Sequence, residues 1–144
     1  MMFDPVGKTV KMEIMLDWIL GLPSGKVMRD LTGDSRLVAE LRKFVPFLGR
    51  TRLYLIQLDV PLDLTQPRGR WPFARAPETR LTRFVLLEVR NPDRLEDEFN
   101  GRTVGEFGAP VLVGIPRVDA LTGPVIDGKR GIWPIGPVRV LLIR

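Results

Sequence analysis

Two runs decide the fold class: 51-TRLYLIQLDV-60 and 82-TRFVLLEV-89. In the first, Leu53–Leu58 is apolar at both parities. In the second, Phe84 and Leu86 alternate with Val85, Leu87 and Val89. A strand that faces solvent on one side shows apolar residues at every second position, so runs like these predict neighbouring strands covered on both faces. Between them lies 61-PLDLTQPRGRWPFARAPETRL-81, too long for a simple turn.

Outward from this pair, the N-terminal side supplies one strand and one helix. Val10, Met12, Ile14 and Leu16 alternate with Lys11, Glu13 and Asp17, which favours a strand over Val10–Leu16. A helix competes there, because Val10, Ile14 and Trp18 also fall at i, i+4, i+8. Gly21–Lys26 (GLPSGK) resembles a phosphate-binding loop only faintly: its glycines are one residue too close, Pro23 lacks a donor and Val27 replaces the hydroxyl. A turn is expected. Asp34 or Ser35 can cap a helix carrying Leu37, Leu41, Phe44 and Leu48 on one face, which Pro46 ends near Phe44 or Val45.

On the C-terminal side, Asn91-Pro92-Asp93 reads as a capped helix start, with Leu95 and Phe99 as anchors and Gly101 as the stop. Glu96, Asp97 and Glu98 read as a solvated acidic face. Short strands follow over Thr103–Phe107, Pro110–Ile115, Pro124–Asp127, Gly131–Ile135 and Val138–Arg144, with Asp127-Gly128 as a hairpin turn. The last, apolar strand must pair with something. The expectation is a mainly β (β-rich α+β) fold: a small barrel or sandwich with one amphipathic helix over about 35–45 and a short helical turn over about 92–99. It forms a single domain over 1–144, with residues 1–9 as an N-terminal arm and 61–81 as a long interaction loop.

Composition narrows the function. The chain has 144 residues with no Cys and no His, which removes disulfides, thiol nucleophiles, zinc–thiolate sites and the usual neutral-pH base. Ser24 and Ser35 are the only serines, and neither stands in a nucleophile-elbow context. Asp59 and Asp63 are the nearest approach to a catalytic carboxylate pair, in positions where Asp commonly serves the backbone. No enzymatic activity, cofactor or metal is expected. MMFDPVGKTVK carries no signal-peptide pattern, and the apolar run Met12–Leu22 is interrupted by Glu13 and Asp17, so no membrane segment is expected.

The net charge is +5, carried mostly by arginine, with 13 Pro. A basic balance suits nucleic acid or acidic surfaces; a thermophilic or GC-rich source accounts for it equally well. The loop Gln66–Arg80 concentrates the signal. Arg68, Arg70, Arg75 and Arg80 are interleaved with Trp71, Phe73 and prolines, the mixture found in protein hot spots and in single-stranded nucleic-acid grooves. The plainer reading folds Trp71 and Phe73 back onto the core. A second cluster, Lys129, Arg130 and Trp133, repeats the pattern. The leading expectation is a structural protein that docks with protein partners, as a homo-oligomer, into a larger symmetric assembly. Its most concrete form is a capsid decoration (cement) or minor virion protein of a thermophilic phage, placing it in a virion or the cytoplasm. The alternative is a small-barrel nucleic-acid-binding protein using the same loop.

Overall fold

A computed structural model describes residues 3–14, 22–42, 51–63, 81–102, 109–115, 118–119, 123–124 and 133–143. The elements in chain order are β1 (Thr9–Ile14), β2 (Ser24–Asp30), α1 (Ser35–Arg42), β3 (Arg52–Asp63), β4 (Leu81–Val89) and a 3-10 turn (Pro92–Arg94) leading into α2 (Leu95–Glu98). Then come β5 (Val111–Ile115), β6 (Val118–Asp119), β7 (Gly123–Pro124) and β8 (Trp133–Leu142). Among the described residues six strands close into a barrel in the order β1-β2-β3-β4-β5-β8, and β6 pairs with β7 as a small side ribbon. A barrel is the architecture, and the helix and helical turn stand where expected. Val10–Ile14 is strand rather than helix. The expected helix end near Phe44 or Val45, the strand over Thr103–Phe107 and the Asp127-Gly128 turn lie outside the described residues.

The both-face apolar runs have the cause the sequence suggests. Tyr54, Ile56 and Leu58 of β3 and Val85, Leu87 and Val89 of β4 point inward, joining Val10, Met12, Val27, Leu112, Val138 and Val140 in the barrel core. Leu53, Leu55 and Leu86 point outward, where Leu37 and Leu41 of α1 cover them together with Val113 and Ile115 of β5. Asp34 fixes the start of α1, its Oδ1 accepting from the Leu37 N–H at 3.0 Å. At the other helical turn the Asn91 side chain makes no cap bond; the Arg94 N–H bonds the Asn91 carbonyl instead. Gly101 does take the left-handed conformation that stops the helix, at φ 75°.

Three local expectations change. Ser24-Gly25-Lys26, expected as a turn, opens strand β2. Its inward pattern rests on Gly25 and Val27 alone, and a bulge at Met28 shifts the register before Arg29 and Asp30. The two strands expected over Gly131–Ile135 and Val138–Arg144 are one over their described part: β8 (Trp133–Leu142) runs through Pro134, Gly136 and Pro137. The ladder with β5 skips Ile135, and Gly136 sits at φ 125°, so a bulge absorbs what read as a break. Glu98, expected in solvent, is fully buried beside Leu95 and Phe99, whereas Glu96 is exposed.

The long hairpin also starts later than its sequence suggested. β3 continues to Asp63 and β4 begins at Leu81, with Leu62 opposite Thr82 and Asp63 opposite Leu81. A wide bulge between Gln57 and Leu62 accommodates Pro61, which has no ladder donor. Residues 3–8 lie along the barrel: Pro5 is buried, and the Gly7 N–H bonds the Val27 carbonyl at 2.8 Å.

Gly25 is required by close approach. A Cβ there would run into the Gln57 carbonyl and the Ile56 side chain of β3, whereas one at Gly33 would meet nothing within 4 Å. Gly25→Ala is therefore expected to destabilise by about 1–3 kcal/mol, with Gly33→Ala near neutral, measured by chemical denaturation of both variants.

Candidate interaction site

Each barrel strand is antiparallel to both neighbours, so the chain crosses the barrel in alternate directions and its connections sort to two rims. One rim receives the connections β1–β2, β3–β4 and β5–β8. The other receives β2–β3, which contains α1, and β4–β5, which contains α2, together with residues 3–8 and the end of β8.

The first rim is where the sequence-derived candidates are tethered. Arg68, Arg70, Trp71, Phe73, Arg75 and Arg80 belong to the β3–β4 connection, and Lys129 and Arg130 to the β5–β8 connection. All of these lie outside the described residues. Trp133 is the first residue of β8, with only its backbone described. The topology therefore roots both clusters at one end, which composition alone does not show. It adds the β1–β2 connection, which carries Trp18, to the same rim, where β8 begins with Trp133. The described part of the rim exposes apolar surface: Val60 is 73% exposed, Leu81 56% and Leu22 50%. The Ser24 hydroxyl donates to Asp59 Oδ2 at 2.9 Å, tying the start of β2 to the β3 bulge.

The opposite rim is plugged. Phe99, just after α2, packs edge-on against Tyr54 inside the barrel and at a tilt against Phe3, with ring centroids 5.7 Å apart in both pairs. Beside this plug lies a groove of about 780 Å³. Val38 and Arg42 of α1, Thr51 and Arg52 at the start of β3, Pro92, Asp93, Leu95 and Glu96 around α2, and Phe3 line it. A further recess of about 430 Å³ shares Phe3 and Arg52 and adds Asp4, Val6 and Asp30. Arg52 is held in place: Nη2 donates to Asp30 Oδ2 at 2.9 Å and Nε to the Tyr54 hydroxyl at 3.4 Å. The Tyr54 hydroxyl and Asp30 keep this guanidinium firmly protonated, while burial pushes the tyrosine hydroxyl up.

Two further carboxylates are buried, and neither lines the groove. Glu88 continues the outward face of Phe84 and Leu86, placed in the ladders between Leu53 and Val111. Its Oε1 accepts from Arg90 Nε at 3.2 Å, and its Oε2 has no hydrogen-bond partner among the described residues. Burial pushes the carboxyl up to about 7, against the opposing charges of Arg90 and Arg42. Glu98 has both oxygens buried without a partner among the described residues. Burial raises it too, opposed by the Arg94 charge and the nearby Asn91 amide. A carboxyl near 7 has the affinity of a general acid or base, but Glu88 lines neither recess. Among the described residues no cluster of three or more His, Cys, Asp or Glu is placed to hold a metal ion, and no helix is long and apolar enough to cross a membrane.

Comparisons with protein-family models, with curated proteins and with solved structures found no match. The molecule's own geometry therefore carries the functional reading.

Glu88 makes stability depend on pH. Its folded value of about 7 lies above the ordinary 4.5, so the native state binds the proton more tightly than the unfolded chain. The associated stability is fully present below pH 4.5 and is lost as pH rises through 7, by at most about 3 kcal/mol. Glu88→Gln should remove this dependence. Its melting temperature should exceed that of the wild type at pH 8, with the gap closing near pH 5. An unchanged gap across that range would show that Glu88 does not titrate there.

Proposed function

We propose that the protein is a non-enzymatic structural subunit that docks into a larger symmetric assembly and stabilises it. The most concrete form is a capsid decoration or minor virion protein of a thermophilic phage. The observation carrying this reading is the sorting of connections: segments bearing Trp18, Trp71 and Trp133 all attach to one rim, whose described part already exposes Leu22, Val60 and Leu81. Tryptophan- and arginine-bearing segments rooted at an end that exposes aliphatic surface match the composition of a protein–protein hot spot. The barrel interior is filled by its own side chains, most of them wholly inaccessible, which suits a load-bearing plug or spacer better than a container. The lack of Cys and the 13 prolines fit a protein made to persist at high temperature.

Nucleic-acid binding is the second reading, favoured by one feature. Segment 64–80 carries four arginines against a single acid, Glu78. Phosphate contacts by those four would give single-stranded oligonucleotide binding a log–log salt slope of roughly −3.

Light scattering over a wide range of protein concentrations separates the two. An assembly subunit shows a defined oligomer in nuclease-treated, moderate-salt solution. A monomer at every concentration that binds oligonucleotide with a steep salt slope overturns the first reading. Trp71→Ala is expected to weaken the protein contact while leaving the melting temperature within about 2 °C, because a single exposed side chain contributes little to stability. A loss of several kcal/mol would instead place Trp71 in the core.

A further inference from the structure

The groove at the plugged rim has no place in the assembly contact described so far, and its chemistry is unlike the rest of the molecule. The chain carries a net charge of +5, yet among the described residues Asp4, Asp30, Asp93 and Glu96 line the two neighbouring recesses with Arg42 and Arg52 as the cations. Arg52 is already paired with Asp30 at 2.9 Å, and Arg42 lies within electrostatic reach of buried Glu88. Phe3, Val38, Pro92 and Leu95 supply apolar wall between the charges. The two recesses share Phe3 and Arg52, so they lie side by side at this rim and offer successive footholds to an extended chain. Their complement is a basic segment with aromatic anchors and little conformational freedom to lose.

This chain contains such a segment: 66-QPRGRWPFARAP-77, three arginines, Trp71, Phe73 and three prolines, with no acid. It is tethered at the opposite rim. Along β4, from Leu81 to Val89 beside Arg52, is about 26 Å at strand rise. Trp71, eight residues beyond Asp63, reaches about 27 Å only with the intervening chain fully stretched back along the barrel. Its own groove is thus at the very limit of reach, while a neighbouring copy meets it without that strain.

Resting on the assembly reading, we infer that the acidic groove lined by Phe3, Arg52, Asp93, Leu95 and Glu96 receives the Arg/Trp-rich β3–β4 connection of a second copy, joining subunits head to tail. Unlike ends meet, so the contact either closes into a ring or propagates.

Charge exchange tests this on the full chain. Asp93 and Glu96 are exposed, so the double variant Asp93→Lys, Glu96→Lys is expected to fold, with circular dichroism as the check. It and the double variant Arg68→Glu, Arg70→Glu should each weaken self-association at least tenfold by sedimentation or light scattering. An equimolar mixture should restore it, because each then offers the other one matched pair of ends. A synthetic peptide of residues 66–77 should disperse the wild-type oligomer, and the same peptide with Arg68 and Arg70 replaced by Glu should not; this arm holds even if a variant misfolds. Self-association of the groove variant at wild-type strength, or no rescue on mixing, overturns the head-to-tail contact and leaves the assembly reading standing. A wild type that stays monomeric at every concentration overturns both.

Discussion

The constraint on which everything else depends is the pairing of β1 with β8. Val10 to Ile14 align with Leu142 to Val138 in an unbroken antiparallel ladder, closing a sheet that would otherwise end in two open edges. Closure gives the backbone groups of both strands their partners and removes the template that an exposed edge offers to another chain. It also lets Val10, Met12, Val138 and Val140 reach zero accessibility inside the barrel. A closed, side-chain-filled barrel has no lumen and no edge to offer a partner. What remains for recognition is the outer wall and the two rims.

The wall is unequal around its circumference. Over β3, β4 and β5 both faces are apolar, and α1 covers the outer one. Over β1, β2 and β8 the outer positions carry Lys11, Glu13, Lys26 and Arg139, and no described helix covers them. Glu88 is the exception on the covered side. It stands where the pattern set by Phe84 and Leu86 calls for another apolar residue, and among the described residues its ion-pair partner is Arg90 on the same side of the barrel. A buried carboxylate with one oxygen unsatisfied opposes folding when ionised, which is why its proton affinity rises and why it is the group that couples this face of the barrel to pH.

Much of this was legible in the chain. The central strands could be read because apolar residues at both parities of a short run belong in a strand covered on both sides. The helix α1 could be read because Leu37 and Leu41 keep helical spacing behind a capping Asp34. β2 could not. Its inward face consists of Gly25 and Val27, its bulge breaks the alternation, and Pro23 and Gly25 look like punctuation. That omission matters beyond one element, because an all-antiparallel barrel closes only with an even number of strands, and leaving one out reverses the direction of every strand after it. The rim reached by Trp18, relative to Trp71 and Trp133, therefore could not be assigned from composition. The Arg/Trp character of 66–80 was plain in the sequence. The groove was not, because its walls come from residues as distant as Phe3, Arg52 and Glu96, brought together only by closure.

The two rims differ in kind, and that difference bears on symmetry. A two-fold contact made through one end alone would set the arginines of 64–80 against their own copies at one rim, or Asp93 and Glu96 against theirs at the other. Like charges facing across an interface disfavour both arrangements. A contact between unlike ends avoids the repulsion and matches apolar wall to aromatic side chain. In the proposed assembly such a contact would leave an open end on each terminal subunit until a ring closes, so the barrel's polarity, rather than any single residue, would set which closed symmetries are compatible with it.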